Sequence, residues 1–460
     1  MLPRLWMFTL HYLDSPDKAL IYRWIAGNPP RRGIGWEPYP TSRRIVNWIK
    51  FALAGGVLPD EAMASLATQA ECLLGCLEKR VLANHILANA KALFFAGSFF
   101  EGAAAEVWRK EGSRILLEEI REQILPDGGH FERSPMYHAL VLEDLLDLKN
   151  ISDTYGTFIP GLTEGATRML AWLRAMTHPD GQIAFFNDAT FGMAPTPHEI
   201  SEYAARLAVA ACETLLNGGG YIRLEDQGAV VLFDAGAIGP DYQPGHAHAD
   251  TLSFEMSAQG RRVIVNSGTS TYESGSQRDW ERGTSAHNTV RVDGVDQSEM
   301  WRSFRVGRRA RPVDVRTDHR HFAEAAHDGY KRLPGGVIHR RKLRLAGGDL
   351  QIEDSLEGGG THTVELFFHI HPSASPDISL DSKLSASTAS TTYHPGFNLS
   401  VPKTTVIGTY TGRLPAVFTS YISARQEDPL TTLGTQGNAR SSIAHEGGVR
   451  IRRRSSETEP

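Results

Sequence analysis

Two histidines stand at alternate positions in Gly245-His246-Ala247-His248-Ala249-Asp250. In an extended chain His246 and His248 face the same side, so both imidazoles can meet one ligand or substrate. Such a pair binds a metal, or divides into one ligand and one acid/base group. Asp250 is placed to orient one ring from behind, or to cap the next strand. A polar loop with incidental histidines is the plain alternative, because short motifs recur by chance. Downstream lie Asn266-Ser267-Gly268-Thr269-Ser270-Thr271-Tyr272, then Arg278, Arg282 and Ser285-Ala286-His287-Asn288-Thr289-Val290. His287 opens a strand-like run and is a third candidate ligand, against the plainer reading of a hydrogen-bonded histidine in a sheet. Arg302, Arg305, Arg308, Arg309 and Arg311 follow as a row. Guanidinium forks match carboxylate and sulfate, although a solvated strand face accounts for much of such a row equally well.

The earlier part of the chain holds a second group. Asn84-His85 sits near the start of a helical pattern, and Asp127-Gly-Gly-His130-Phe-Glu132-Arg133-Ser-Pro-Met-Tyr137-His138 joins a tight turn to a helix start. A tyrosine in the first helical turn feels the positive dipole end, which favours phenolate character, and His85, His130 and His138 are candidate neighbours that would help. The bland reading makes Asn84 a helix-terminus hydrogen bonder and Tyr137 a core residue on one stripe with Leu140 and Val141. Cys72 and Cys76, four apart, read as helix-face packing. With Cys212 they make three cysteines, too few for a disulfide framework and without a zinc-ligand pattern.

These residues need two kinds of scaffold. Up to about residue 215 the period is helical. Met63, Leu66, Ala67, Ala70, Leu73, Leu74 and Leu77 make one stripe, and Leu116, Leu117, Ile120 and Ile124 another. Ser134-Pro135 reads as an N-cap with proline at the first helical position, opening a helix over 136–148. Further helices are expected over 83–95, 162–176 and 199–215. After Gly218-Gly219-Gly220 the period becomes two. Strands are expected over 229–234, 251–256 and 262–266, the last two as a hairpin, and over 364–370 with Val364, Leu366, Phe368 and Ile370 on one face. No long helical pattern interrupts 221–422. The stretch from 431 to 460 is polar and is expected to fray.

Composition agrees with a folded protein, and length with two to four domains: 460 residues, 41% hydrophobic and 22% charged. A net charge of -5 argues against nucleic acid as a bulk-charge partner, and no apolar run reaches the ~20 residues of a membrane span. The first ten residues lack the basic, apolar and small-residue order of a cleavable signal, and their abrupt start is compatible with a missing upstream segment.

From about Trp6 to Pro372 the motifs above, together with Gly35-Trp-Glu-Pro-Tyr-Pro-Thr-Ser-Arg-Arg-Ile-Val-Asn47 and Gln297-Ser-Glu, resemble in order the heparinase II/III-like family of polysaccharide lyases. The resemblance implies an incomplete (α/α) toroid over 1–217 and an antiparallel β-sandwich domain over 218–460, with the active site in the cleft between them. It implies β-elimination at a uronic acid of an acidic polysaccharide. Asn84 and His85 would neutralise the carboxylate, and Tyr137 and His246 would move the protons. Glu132, Arg133, His138, Tyr272, Arg278 and Arg282 would contact the substrate. It also implies a structural zinc ion on His248 and His287, but Asn266 stands where the family carries an aspartate, which weakens that site. No organic cofactor is implied. The compartment implied is the cell envelope or periplasm, with the cytoplasm as the alternative. Competing readings are an (α/α)-toroid glycoside hydrolase using Asp127, Glu132 or Asp250, a metal-dependent hydrolase on His246 and His248, and a polysaccharide-binding or biosynthesis-coupled protein without turnover.

Overall fold

The computed structural model describes residues 11–423, apart from 15, 214, 215 and 217, together with residues 450–453. Helices α1 (Lys18–Gly27), α2 (Pro38–Leu53), α3 (Asp60–Gly75), α4 (Ala83–Phe99), α5 (Ala103–Gln123), α6 (Pro135–Tyr155), α7 (Leu162–Ala175) and α8 (Pro197–Arg206) come first. The sequence accounts for their ends. Ser134 Oγ accepts from the Tyr137 N–H at 3.2 Å, and Pro135 has no N–H of its own to satisfy at the first position of α6. Gly156, left-handed at φ 63°, closes that helix. Thr196 and Glu199 cap each other's backbone to open α8. The expected helix over 199–215 stops at Arg206, and its residues 214 and 215 lie outside the described residues. Alanine-rich α4 is buried along nearly its whole length and packs against α2, α5 and α6.

The second half holds four sheets among the described residues. The first is β1 (Tyr221–Asp226), β2 (Ala229–Asp234), β3 (Phe254–Ala258) and β4 (Arg261–Ile264), in that order. The short pair β6 (Met300–Trp301) and β7 (Arg305–Val306) is a hairpin of its own. β5 (Val290–Val292) pairs with β12 (Thr361–His369), which continues through β15 (Val401–Arg413) to β14 (Ser385–Tyr393). The largest sheet runs β8 (Pro312–Thr317), β9 (Phe322–His327), β10 (Ile338–Ala346), β11 (Asp349–Glu357), β16 (Ala416–Ser423), β13 (Asp377–Leu380) and β17 (Arg450–Arg453). Pairing is antiparallel except between β13 and β17. Val364, Leu366, Phe368 and Ile370 do share the buried face. Two expectations shift. A seven-residue helix, α9 (Ser276–Arg282), interrupts the sheets, and the strand expected over 251–256 begins at Phe254. Residues 251–253 are a turn instead, where Thr251 O accepts from Thr289 and Gln297 side chains. The opening ten residues, and all of the polar tail except β17, lie outside the described residues.

The halves are joined at the glycine triplet. Asp127 accepts from the Gly218 and Gly219 N–H groups at 3.2 and 2.6 Å, and Arg133 donates to the Gly219 carbonyl. Gly220 (φ 86°) must be glycine, since a Cβ there would lie 2.3 Å from Gly236 Cα. Trp172, Met176, Phe186, Tyr221, Val230 and Leu232 form an apolar cluster across the junction. Each large side chain buried there contributes roughly 1.5–3 kcal/mol.

Candidate active site

Between the halves lies a cavity of about 590 Å³. Asn84, His85, Glu132 and Tyr137 reach it from the helices, and His246, Tyr272 and Phe304 from the strand-rich half. The backbone is contorted where it delivers them. Leu82 (φ 62°) and Ala83 (φ 53°) precede Asn84, Arg133 (φ 60°) follows Glu132, and Asn187 (φ 56°) precedes Asp188. Left-handed backbone at such side chains costs on the order of 1 kcal/mol or more, and persists only where packing imposes it.

The Tyr137 ring stacks on His246 with centroids 3.7 Å apart, and its hydroxyl hydrogen-bonds the Tyr272 hydroxyl at 3.0 Å. Asn84 Nδ2 donates to Glu132 Oε2 at 2.8 Å, while Glu132 Oε1 lies 3.8 Å from His246 Nε2. His85 Nδ1 meets Glu78 Oε1 at 3.0 Å, and its ring packs on Tyr39. Arg43 is the one guanidinium among the described lining residues, against the carboxylates of Asp14, Glu78 and Glu132. The phenolate expectation for Tyr137 fails. Burial, then Tyr272 and Asp188, push its hydroxyl well above the usual tyrosine range, outweighing the helix start. It is a protonated phenol at neutral pH.

Asp188, which the sequence reading missed, is the hub. Its oxygens accept from His246 Nδ1 at 2.9 Å and His248 Nε2 at 2.8 Å, and Arg278 grips both of them. Burial alone would raise this carboxyl, but Arg278 and the two histidines hold it well below the usual range. An acceptor on Nδ1 leaves a neutral His246 with its lone pair on Nε2, facing the cavity. The one signal in the sequence was an Asn-Asp pair closing the apolar run Ile183-Ala-Phe-Phe. Asp250 does not orient a histidine; its carboxylate accepts from the Asn187 N–H at 3.0 Å.

Four residues expected at the substrate are elsewhere. Arg278 is fully buried on Asp188 and the Ser303 carbonyl. Arg282, equally buried, donates to the carbonyls of Ala247, Arg302 and Arg305. Arg133 clamps the glycine triplet, as described. His138 is buried between the His130 N–H and the Met169 carbonyl, and burial drives its pKa down to about 3. His130 lies inside the helical half on Gln123 rather than beside Tyr137. Asp127 is occupied by backbone donors, so it gives no carboxylate pair with Glu132 of the kind a glycosidase needs.

His248 Nδ1 and His287 Nε2 lie 3.3 Å apart and hydrogen-bond each other. Asn266 Oδ1 accepts from the Asn288 backbone and side-chain N–H groups at 3.2 and 3.3 Å. Among the described residues no group of three or more His, Cys, Asp and Glu could hold a metal ion. The two ring nitrogens are spaced as two ligands of one tetrahedral ion would be, but the third position offers only a neutral amide oxygen that already accepts from Asn288, a poorer ligand than a carboxylate.

The fold agrees with the comparisons. Residues 23–205 match the heparinase II/III N-terminus model, and residues 210–432 match the heparinase II/III-like C-terminal model. The chain belongs to the heparinase II/III-like family. It is 26% identical over 311 residues to a heparin-sulfate lyase of Bacteroides stercoris, covering 60% of this chain and 46% of that protein. It is 27% identical over 329 residues to FtsZ-localized protein C of Caulobacter vibrioides, covering 65% of this chain and 55% of that one. The chain thus spans about half the length of these relatives. A solved structure of heparinase III superposes with a TM-score of 0.72 at 18% identity, over 89% of this chain and 74% of that one. The fold is therefore an incomplete (α/α) toroid followed by an antiparallel β-sandwich.

Proposed function

We propose that this protein is a polysaccharide lyase acting on a uronic-acid-containing polymer by β-elimination. The observation that carries the reading is the stack of Tyr137 on His246 at 3.7 Å in a cavity shared with Asn84 and His85. His246 Nε2 takes the C5 proton. The C5–H electrons form the C4–C5 double bond, the C4–O bond breaks, and Tyr137 gives its phenolic proton to the leaving oxygen. His246 then releases its proton to solvent and the Tyr137 phenolate takes one up, which resets the pair. Asn84 and His85 neutralise the sugar carboxylate, whose oxygens gain charge in the transition state. With one guanidinium among the described lining residues, that task falls to hydrogen-bond donors more than to a basic field.

Acid and base share one face of the sugar, so elimination is syn. D-glucuronate and D-mannuronate place the C5 hydrogen and C4 oxygen on one face, whereas their C5 epimers place them on opposite faces. Incubation with paired polymers, followed by ultraviolet absorbance of the unsaturated ends, is expected to show product only from the first kind. Equal rates on both would refute the arrangement. New reducing ends without absorbance would mean hydrolysis.

A second reading, a polysaccharide-binding or biosynthesis-coupled protein without turnover, draws on the 329-residue alignment with FtsZ-localized protein C, and would give binding without product. The lyase reading goes with the cell envelope or periplasm, and the cytoplasm is the alternative. No helix among the described residues is long and apolar enough to cross a membrane. Zinc is proposed to be weakly held or absent. Elemental analysis after dialysis should find well under one zinc per chain, and Asn266→Asp should raise it. Stoichiometric, chelator-resistant zinc in the unmodified protein would overturn this.

A further inference from the structure

Just outside the cavity the β6–β7 hairpin carries features that the elimination does not use. Trp301 is 48% exposed, although burying an indole is usually strongly favourable. The Arg302 and Arg305 guanidiniums lie 5.9 and 5.3 Å from its ring centroid. Arg308 pairs with Glu299, and Arg309 and Arg311 pair with Asp241. Among the described residues Arg302 and Arg305 have no carboxylate partner. Arg302 also holds a left-handed φ of 52°, where glycine or asparagine would be less strained.

The hairpin is fixed relative to the reacting groups. Arg282 donates to the Arg302 carbonyl at 2.8 Å and to the carbonyl of Ala247, the residue between His246 and His248. Arg278, while holding Asp188, donates to the Ser303 carbonyl at 3.0 Å. Phe304, next in line, lines the cavity and packs edge-on against Tyr272. The two buried arginines thus lock the hairpin backbone that carries an exposed tryptophan and two guanidiniums at the rim, so that binding need not order that backbone.

Resting on the lyase reading, we propose that Trp301, Arg302 and Arg305 form an outer subsite for a second acidic sugar of the same polymer. The sugar's apolar face lies on the indole, and its carboxylate or sulfate is held by the two guanidinium forks. Chain length is then recognised at the rim while the cavity handles one uronate.

The test compares the wild type with Trp301→Ala and with Arg302→Ala/Arg305→Ala, using glucuronan, alginate and chondroitin polymers and their shortest cleaved oligosaccharides. KM for the polymer is expected to rise about tenfold in both variants, with at most about a twofold change on the shortest oligosaccharide. Sulfated and unsulfated chondroitin tell which anion the forks prefer. Equal losses on polymer and oligosaccharide, or wild-type KM on the polymer, would overturn the subsite. If the wild type turns over none of these, affinity electrophoresis through the same polymers decides. Retardation of the wild type and its loss in the variants support the subsite while the lyase reading fails. Absence of retardation, or retardation by DNA alone, overturns both.

Discussion

Tyr137→Phe should lower kcat by about 10²–10⁴-fold, the usual contribution of a positioned acid or base. The ring, its place in α6 and its stack on His246 are all kept, and only the phenolic proton is lost. The hydrogen bond to Tyr272 goes with it, at a cost of about 1 kcal/mol, so the melting temperature should move by only a few degrees. KM should change little, because a proton delivered in the transition state contributes little to ground-state binding. The raised Tyr137 pKa adds a pH test. The phenol stays protonated past the usual tyrosine range, so the wild type should not lose activity near pH 10 through Tyr137 ionisation. A Tyr137→Phe enzyme with near-normal kcat on a polymer the wild type cleaves would remove this residue from the mechanism.

The same residue illustrates what a sequence can and cannot carry. That Tyr137 stands near a helix start is local information, and Ser134-Pro135 announced it. That burial and two distant neighbours decide its protonation is not local. Tyr272 is 135 residues away. Arg278 and Arg282 were expected at the substrate, and the fold buries them on Asp188 and backbone carbonyls instead. A guanidinium that grips substrate and one that grips buried carbonyls look alike until packing is known. Asp188 was invisible for the same reason, since His246, His248 and Arg278 are 58, 60 and 90 residues away. The helix-to-strand switch was legible because long periodic stretches report one face per element. Helix α9 was not, since seven residues make barely two turns and leave no periodic signal. The cavity residues Asn84, His85, Tyr137 and His246 were legible mainly as a set, through the family motifs, whereas each alone had a stronger structural explanation.

Asp188→Asn should have the other large effect, and it should act through His246. An amide cannot accept from His246 Nδ1, His248 Nε2 and Arg278 together, as two carboxylate oxygens do. His246 loses the partner that keeps its Nε2 lone pair in the cavity, so kcat should fall about 10²-fold or more. Stability should fall as well, because Arg278 is left buried without its counter-charge, a change that typically costs about 3–5 kcal/mol. The two losses separate by pH and by a mutant cycle. The Asp188 pKa is depressed in the fold, so its stabilisation is present above the unfolded value near ~3.9 and is lost as pH falls through the folded value. The wild type should therefore lose stability toward acid, and Asp188→Asn should show a flatter acid limb from a lower plateau. In the cycle, measured well below either melting temperature, Asp188→Asn combined with His246→Ala should be no slower than His246→Ala alone. Fully additive losses would mean that Asp188 acts on the fold and not on the histidine, and the hub would then be a structural knot beside the active site instead of part of it.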